Sequence, residues 1–359
     1  MSTLTTLRRA ISGALATIVL GSVMGTHAGE PPADGPLFPA PSRDRSGYID
    51  RSGRMVISPQ WDDAAPFADG LAAVGTRQVE TDGGVSRTVS RQGWIDRSGH
   101  VVIPLRWDDA GAFSEGRARV KEGDRFGFVD RTGAVVVPPQ YDDAAPFADG
   151  LAAVKRDGKT GFIDPAGTVV IPFRYMRAAW IASFHDGRAC AFDGDWENDR
   201  AGFIDRTGAM VIPAQYAWAQ PFSEGLALVR TTLDAPIRVI DRDGRTVIET
   251  GGTDALSFNE GLAAVETAAG WTYIDRSGKT VIGPLRYRHV GVFVDGRAGV
   301  CRGSAWGFID RTGREVIPTT WTGIARFQDG LARMESGSLF GGLRVAYIDR
   351  DGTVVWRAR

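Results

Sequence analysis

Phe126-Gly127-Phe128-Val129-Asp130-Arg131-Thr132-Gly133-Ala134-Val135-Val136-Val137-Pro138-Pro139 is the stretch whose reading decides the fold. Its first half alternates and is rich in aromatics, as a strand with one buried face requires. Asp130 is placed to cap the N–H groups of a tight turn. Gly133 is placed to take the left-handed conformation of a bulged hairpin. Val135 to Val137 form a β-branched return strand, and Pro138 and Pro139 stop it because proline has no N–H for the ladder. The core of this hairpin, an aromatic, Ile or Val, then Asp, recurs at Asp50, Asp96, Asp130, Asp164, Asp205, Asp241, Asp275, Asp310 and Asp349, with Val239 replacing the aromatic in one copy. The spacing is roughly 34 to 46 residues, the period of a tandem array in which each unit packs on its neighbours.

Working outward, a link follows each hairpin, and then a Leu-Ala strand that leads into the next aromatic strand. A Gly is followed two residues later by Ala at Ala72, Ala118, Ala152, Ala189, Ala227, Ala263, Ala298 and Ala332. The residue before that Ala swings between Leu (Leu71, Leu151) and Arg (Arg117, Arg188), so a period-2 strand has one tightly packed face and one partly wet face. Phe stands three residues before each of those glycines, from Phe67 and Phe113 to Phe327. Aromatics such as Trp61, Trp107 and Tyr141 stand six residues earlier, placed to plug the seams between sheets. The expected fold is all-β: three-stranded meanders in an open, curved, solenoid-like array, with a β-propeller-like ring as the alternative. The first hairpin, Tyr48 to Ser58, shows no leading strand of its own, which favours the open form.

The unit resembles the WG-repeat family of bacteria. The dipeptide of that name stands in Trp306-Gly307-Phe308-Ile309-Asp310, and it is Phe126-Gly127, Thr160-Gly161 and Trp271-Thr272 elsewhere. Val-Ile-Pro, Tyr-Asp-Asp-Ala and Pro-Phe-x-x-Gly-Leu-Ala match as well, over about residues 46 to 356. The resemblance implies β-rich repeats in exported or surface-associated proteins, usually without an assigned activity. The sixth unit departs most, because Glu249-Thr250-Gly251-Gly252 replaces the proline and aromatic.

The N-terminus reads as a targeting segment. Arg8 and Arg9 precede an apolar run of about 15 residues, short of the roughly 20 that a spanning helix needs. Thr26-His27-Ala28 then supplies small residues before a cut. Residues 1–28 are expected to be a signal peptide with Gly29 as the mature N-terminus. Residues 29–45, with Pro31, Pro32, Pro36, Pro39 and Pro41, are expected to be an extended linker. Residues 46–359 are expected to hold the repeat domain, about nine repeats with the first and last partial. The expected location is periplasmic or extracellular, with no membrane insertion after cleavage.

The chain carries 42 basic and 43 acidic residues. That balance leaves no electrostatic footprint for nucleic acid. Cys190 and Cys301 fall in different repeats at different offsets, and a disulfide needs Cα atoms within about 7 Å, so two buried free thiols are expected. The three mature histidines, His100, His185 and His289, are far apart in sequence. The pairs Asp62-Asp63, Asp108-Asp109 and Asp142-Asp143 recur at repeat spacing and read as turn caps that meet nearby arginines. Asp241-Arg242-Asp243-Gly244 and Asp349-Arg350-Asp351-Gly352 resemble the start of a calcium loop, but they occupy the hairpin turn of the repeat.

Residues that break the repeat are the candidate contacts: Trp180, His185, Trp196 and Trp218. Asp193, Asp195, Glu197 and Asp199 around Trp196 offer alternate oxygen ligands that suit calcium; no other cofactor is indicated. No serine, histidine and acid combine as a triad, and no glycine loop suits phosphate. The expected function is a non-catalytic binding or scaffold module for a protein or glycan partner. The alternative is a hydrolase-like enzyme on glycans or peptides, with an acidic site in the irregular fourth and fifth repeats.

Overall fold

A computed structural model describes residues 35–82, 85–175, 183–193, 200–338 and 342–358. Among these residues every regular element is a β-strand. The strands form nine antiparallel sheets in chain order, seven with four strands and two with three. We call them blades 1 to 9. In blade 4 the strands are Asp143–Ala144, Ala152–Arg156, Lys159–Ile163 and Val169–Tyr175. The link expected to be irregular therefore donates a short first strand, held by Asp142 N–H to Lys155 O at 2.8 Å and Ala145 N–H to Ala153 O at 2.8 Å.

First-strand residues of successive blades converge. Gln220, Leu256, Val292 and Arg326, on or just after the first strands of blades 6 to 9, line one cavity, and Ser114, Phe147, Phe184 and Phe222 in the corresponding segments of blades 3 to 6 line another, so these segments face a central channel. The last strands are outermost. Val101, Val102, Val135, Val169 and Val170 on them are exposed. The prolines expected to stop these strands do not: the strands run on through Pro104, Pro138, Pro172 and Pro213 to Trp107, Tyr141, Tyr175 and Tyr216. On an outermost strand the missing N–H is tolerated and limits pairing with another sheet.

The hairpin behaves as its chemistry demands. Asp130 Oδ1 accepts from Thr132 N–H and Ala134 N–H at 2.9 and 3.1 Å and from the Thr132 hydroxyl at 2.7 Å. Gly133 sits at φ 83°, and a Cβ there would lie 2.8 Å from Ile103 Cγ2 of the preceding blade. The glycine of the Trp-Gly dipeptide has a different reason. At Gly127 a Cβ would stand 2.4 Å from Val137 O, and at Gly307 it would stand 2.3 Å from Ile317 O. The third strand must therefore be bare where the outer strand crosses it. In blade 7 the roles exchange: Thr272 takes the third-strand place and Gly283 stands opposite, where a Cβ would meet Trp271 O at 2.7 Å.

The core lies between blades. All eight repeat alanines are at most 1% exposed. Each link Phe from Phe113 to Phe327 is buried, and those of blades 3, 4, 5, 6, 8 and 9 pack edge-on against the third-strand aromatic of the blade before, as Phe147 does on Phe128 at 4.9 Å. The face expected to be partly wet is dry at its leucines: Leu71, Leu151, Leu226, Leu262 and Leu331 are 3–8% exposed, while Arg117 and Arg188 are half-buried.

The open array is not what forms; the blades close into a ring. The decisive element is Phe38–Ser42, which pairs with Arg45–Ile49 as the leading strand of blade 1. The linker expectation for 29–45 thus fails in its second half. Prolines at 39 and 41 conceal a strand because both lie on the edge turned away from the Arg45–Ile49 partner, where no ladder N–H is required. Phe38 pairs with Ile49 as Ala152 pairs with Ile163, so Phe38 occupies the place of the repeat alanine.

That exchange makes the joint between blades 9 and 1. Blade 1 has no first strand among the described residues and brings no link Phe to Tyr347. The Phe38 ring supplies the missing volume, 5.7 Å from the Tyr347 ring and packed with Ala40, Ile49 and Leu331. The Tyr347 hydroxyl donates to Pro39 O at 2.8 Å. Arg51 Nε donates to Asp329 O at 2.6 Å, as Arg276 does to Glu224 O at 2.8 Å and Arg311 to Glu260 O at 3.0 Å between other neighbours. Gly53 abuts Val355 and Trp356 of blade 9 as the other turn glycines abut the preceding outer strand. The ninth joint thus keeps the kinds of arginine, glycine and aromatic contact made at other joints, with a large-for-small exchange at Phe38.

Candidate functional site

The ring presents one face on which the turns after the first strands meet the hairpin turns of the next blade. Each first-strand turn contains an acid at φ 50–55° followed by a glycine also at positive φ, as in Asp149-Gly150. The glycine N–H donates to the acid of the preceding blade. Gly116 donates to Asp69 at 3.3 Å, Gly150 to Glu115 at 2.9 Å, Gly187 to Asp149 at 2.7 Å and Gly225 to Asp186 at 2.7 Å. Gly261 then donates to Glu224 at 3.1 Å, Gly296 to Glu260 at 3.1 Å and Gly330 to Asp295 at 2.7 Å. A belt of charge-assisted hydrogen bonds rings the channel mouth.

Arginines from the hairpin turns brace the belt from outside. Arg242 pairs with Asp186 at 3.2 Å, Arg311 with Glu260 at 3.3 Å and Arg350 with Asp295 at 3.1 Å. These pairs are half-exposed, and their stabilisation is small. The acid and arginine of the repeat, which invite a catalytic reading, are engaged in joining blades.

The belt is interrupted at blade 1. Counting back from Phe38, Gly35 and Pro36 take the places that Asp149 and Gly150 hold in blade 4. Arg97 donates to Gly35 O, the contact that identifies this place elsewhere in the ring. Gly35 has no carboxylate to receive Gly70 N–H, and Pro36 has no N–H to offer Asp329. Among the described residues, Gly70 N–H and the Asp329 carboxylate accordingly make no hydrogen bond. Gly70 is exposed where its seven counterparts are half-buried, and Phe67 is half-buried where the other link phenylalanines are buried. A notch of about 540 Å³ opens there, between blades 9, 1 and 2, lined by Leu37, Phe67, Gly70, Arg97, Arg326 and Asp329 among others.

The sequence candidates are distributed differently. His185 is exposed in the belt turn of blade 5, beside Glu115, Asp149 and Glu224 on the rim. Trp218 is half-buried on the first strand of blade 6, packs on the core shared by blades 6 and 7 and carries Arg230 over its ring at 5.4 Å; it does not line the His185 groove. Trp180, Trp196, Asp195, Glu197 and Asp199 lie outside the described residues. Asp193 ends the strand Ala189–Asp193, and its side chain is likewise outside them. Among the described residues no group of three or more metal-binding side chains assembles.

The paired acids act as read. Asp62 Oδ2 accepts Arg77 N–H at 2.7 Å, Asp109 meets Arg119 at 3.1 Å, and Asp108 and Asp142 meet Arg91 and Arg125. Asp241 caps its own turn through Asp243 N–H and Arg245 N–H. Cys190 and Cys301 are buried thiols that no disulfide joins. His100 is exposed beside Ser98, and His289 stacks on Trp306 at 6.3 Å. Among the described residues no helix is long and apolar enough to cross a membrane.

Sequence reasoning passed over the notch because it appears only as a missing acid and a missing N–H. Its signal was present at Gly35-Pro36 and Phe38, three departures within one repeat that the proline count disguised.

A sequence profile described as "WG containing repeat" matches residues 47–76, 93–125, 126–159, 161–195, 202–231, 271–304 and 306–340. The chain belongs to that family. The unmatched stretch between 231 and 271 contains the Glu249–Gly252 departure. No curated protein matches the chain. Solved structures similar to it include the extracellular domain of the putative hybrid two-component system BT3049 from B. thetaiotaomicron, at 13% identity and TM-score 0.27, over 90% of this chain and 50% of that one. The chain thus spans half of that structure's length. TolB from Acinetobacter baumannii aligns at 12% identity and TM-score 0.32, over 79% and 78% of the two chains. The WD40 domain of SCAP from fission yeast aligns at 12% identity and TM-score 0.30, over 68% of each. The ring rests on its own strand pairing and joints, not on these likenesses.

Proposed function

We propose that this WG-repeat ring is a non-catalytic binding module, exported by its N-terminal segment, whose channel-mouth face engages a protein partner. The observation that carries the reading is the belt. The repeated carboxylates and arginines, the side chains best suited to chemistry, hold blade to blade. What remains for a partner is a wide rigid face with irregular features at one sector. Rigid scaffolds that carry varied turns on one face suit recognition, because little order has to be imposed on binding.

The test uses the chain beginning at Gly29, immobilised and offered an envelope extract, with hydrogen exchange on any complex recovered. Protection centred on the belt turns, at 69–70, 115–116 and 149–150, supports the reading. Protection confined to the outer strands overturns the assigned face, and turnover of a glycan or peptide panel overturns the non-catalytic reading. Mass spectrometry of protein recovered from the envelope should show Gly29 as its first residue; a retained Met1 contradicts the export step.

A further inference from the structure

We propose that the notch at blade 1 is a recognition site for an acidic peptide turn, an Asp-Gly or Glu-Gly unit on a loop of the partner protein. This rests on the binding-module reading and adds the site and the ligand chemistry. The argument comes from the seven intact joints of the belt. In each, two adjacent residues of one blade serve both neighbours. The glycine N–H donates backward to an acid, and the carboxylate before it accepts forward from the next glycine.

At blade 1 the two neighbours are in place and, among the described residues, the unit between them is not. Asp329 waits for an N–H and Gly70 N–H waits for a carboxylate, because Gly35 and Pro36 offer neither. The group that fits is therefore the one the protein uses everywhere else, an acid followed by a residue with a free N–H.

The walls agree with that occupant. Arg326 is exposed with no hydrogen bond or ion pair among the described residues, so positive charge flanks the carboxylate position. Phe67 is half-buried and offers an apolar surface to the flanking side chains. The notch volume of about 540 Å³ is that of an ordinary ligand pocket. Addition of a full strand to Phe38–Ser42 is disfavoured. The two residues that would pair outward are Pro39 and Pro41, which have no N–H, and Pro39 O already accepts from Tyr347. Recognition is thus confined to a turn.

The experiment is fluorescence polarisation with the full chain and a short labelled peptide, capped at both ends, with a central Asp-Gly. A matched Asn-Gly peptide is the control. The Asp-Gly peptide is expected to bind saturably, and the Asn-Gly peptide about tenfold more weakly, the usual loss of one charge-assisted hydrogen bond. Asp329→Ala should abolish the difference in affinity from wild type to background. The chain carrying Gly35→Asp with Pro36→Gly should complete the belt, melt higher than wild type and no longer bind. Equal binding of both peptides, no binding of either, or undiminished binding by the completed ring would overturn the proposal. A partner retained equally by wild-type and completed rings would leave the binding module standing and remove the notch from it.

Discussion

Replacing Phe38 by Ala removes the large side chain that fills the ninth joint at the place where the other blades carry Ala. Phe38 is 5% exposed and packs with Ala40, Ile49, Leu331 and Tyr347 across the joint of blades 9 and 1. The ring takes with it roughly 150 Å² of buried apolar surface, worth about 4 kcal/mol at about 25 cal/mol per Å². That agrees with the roughly 3–5 kcal/mol typical of Phe→Ala in a core that cannot collapse. Collapse is opposed here because the backbone of Pro39 is tied to Tyr347. In the other eight blades Ala is harmless at this place because a link Phe fills the space, and no link Phe reaches Tyr347 from blade 1. Urea denaturation followed by circular dichroism, with the slope compared between variants, gives the change directly. The partner measurement is Phe67→Ala, where the ring is half-buried and the loss should be smaller. A loss below about 1 kcal/mol for Phe38→Ala would refute the reasoning, since a buried closing ring cannot be removed so cheaply.

Tyr347→Phe deletes the hydroxyl that satisfies Pro39 O; burial pushes that hydroxyl up to about 12, so it stays a donor throughout the neutral range. The change should cost about 1 kcal/mol in the same denaturation assay, the net worth of one part-buried hydrogen bond. Ala152→Val, at a site 0% exposed, should cost about 1–3 kcal/mol by overpacking, and unchanged thermal stability would place that face in solvent. Acid should weaken the hairpins. The Thr132 hydroxyl, then the backbone N–H groups of the turn, hold Asp130 below its ordinary value, and Thr207 and Thr312 do the same for Asp205 and Asp310. Folded values below unfolded ones mean stability that is present above the ordinary carboxylate value of about 4 and lost as pH falls through the lower folded values. Melting temperature should therefore decline below about pH 4, and Asp130→Asn should flatten part of that decline. Thiol titration of denatured, unreduced protein should find both Cys190 and Cys301.

The repeat unit was legible because its chemistry is local. The Asp130 cap and the Gly133 turn are set by neighbours within one hairpin, and the structure reproduces them. The proline stop and the wet leucine face are not reproduced, because the outer strand runs on through Pro138 and Pro139 to Tyr141 and Leu151 is buried against the next blade. Closure was not legible, because it depends on residues some three hundred positions apart. Phe38 reads as one more hydrophobe in a proline-rich stretch until it is set against the register of Ala152, and only the ladder supplies that register. Residues breaking the repeat in the fourth and fifth units stand out by size, as Trp218 does, yet Trp218 packs on the core between blades 6 and 7. The interruption that leaves unmatched polar groups is at Gly35-Pro36, where small residues stand in for functional ones.

The account stands on a ring closed between the first and last blades. Cysteines at positions 51 and 329, in chains differing only there, offer the direct measurement, with the single variants as controls for the buried native thiols. A short bis-maleimide should join the two positions within one monomer, in high yield and without denaturant, as the contact of Arg51 with Asp329 requires. An open array would hold those positions at opposite ends of nine blades; cross-linking that appears only between molecules, or only after unfolding, would contradict the ring.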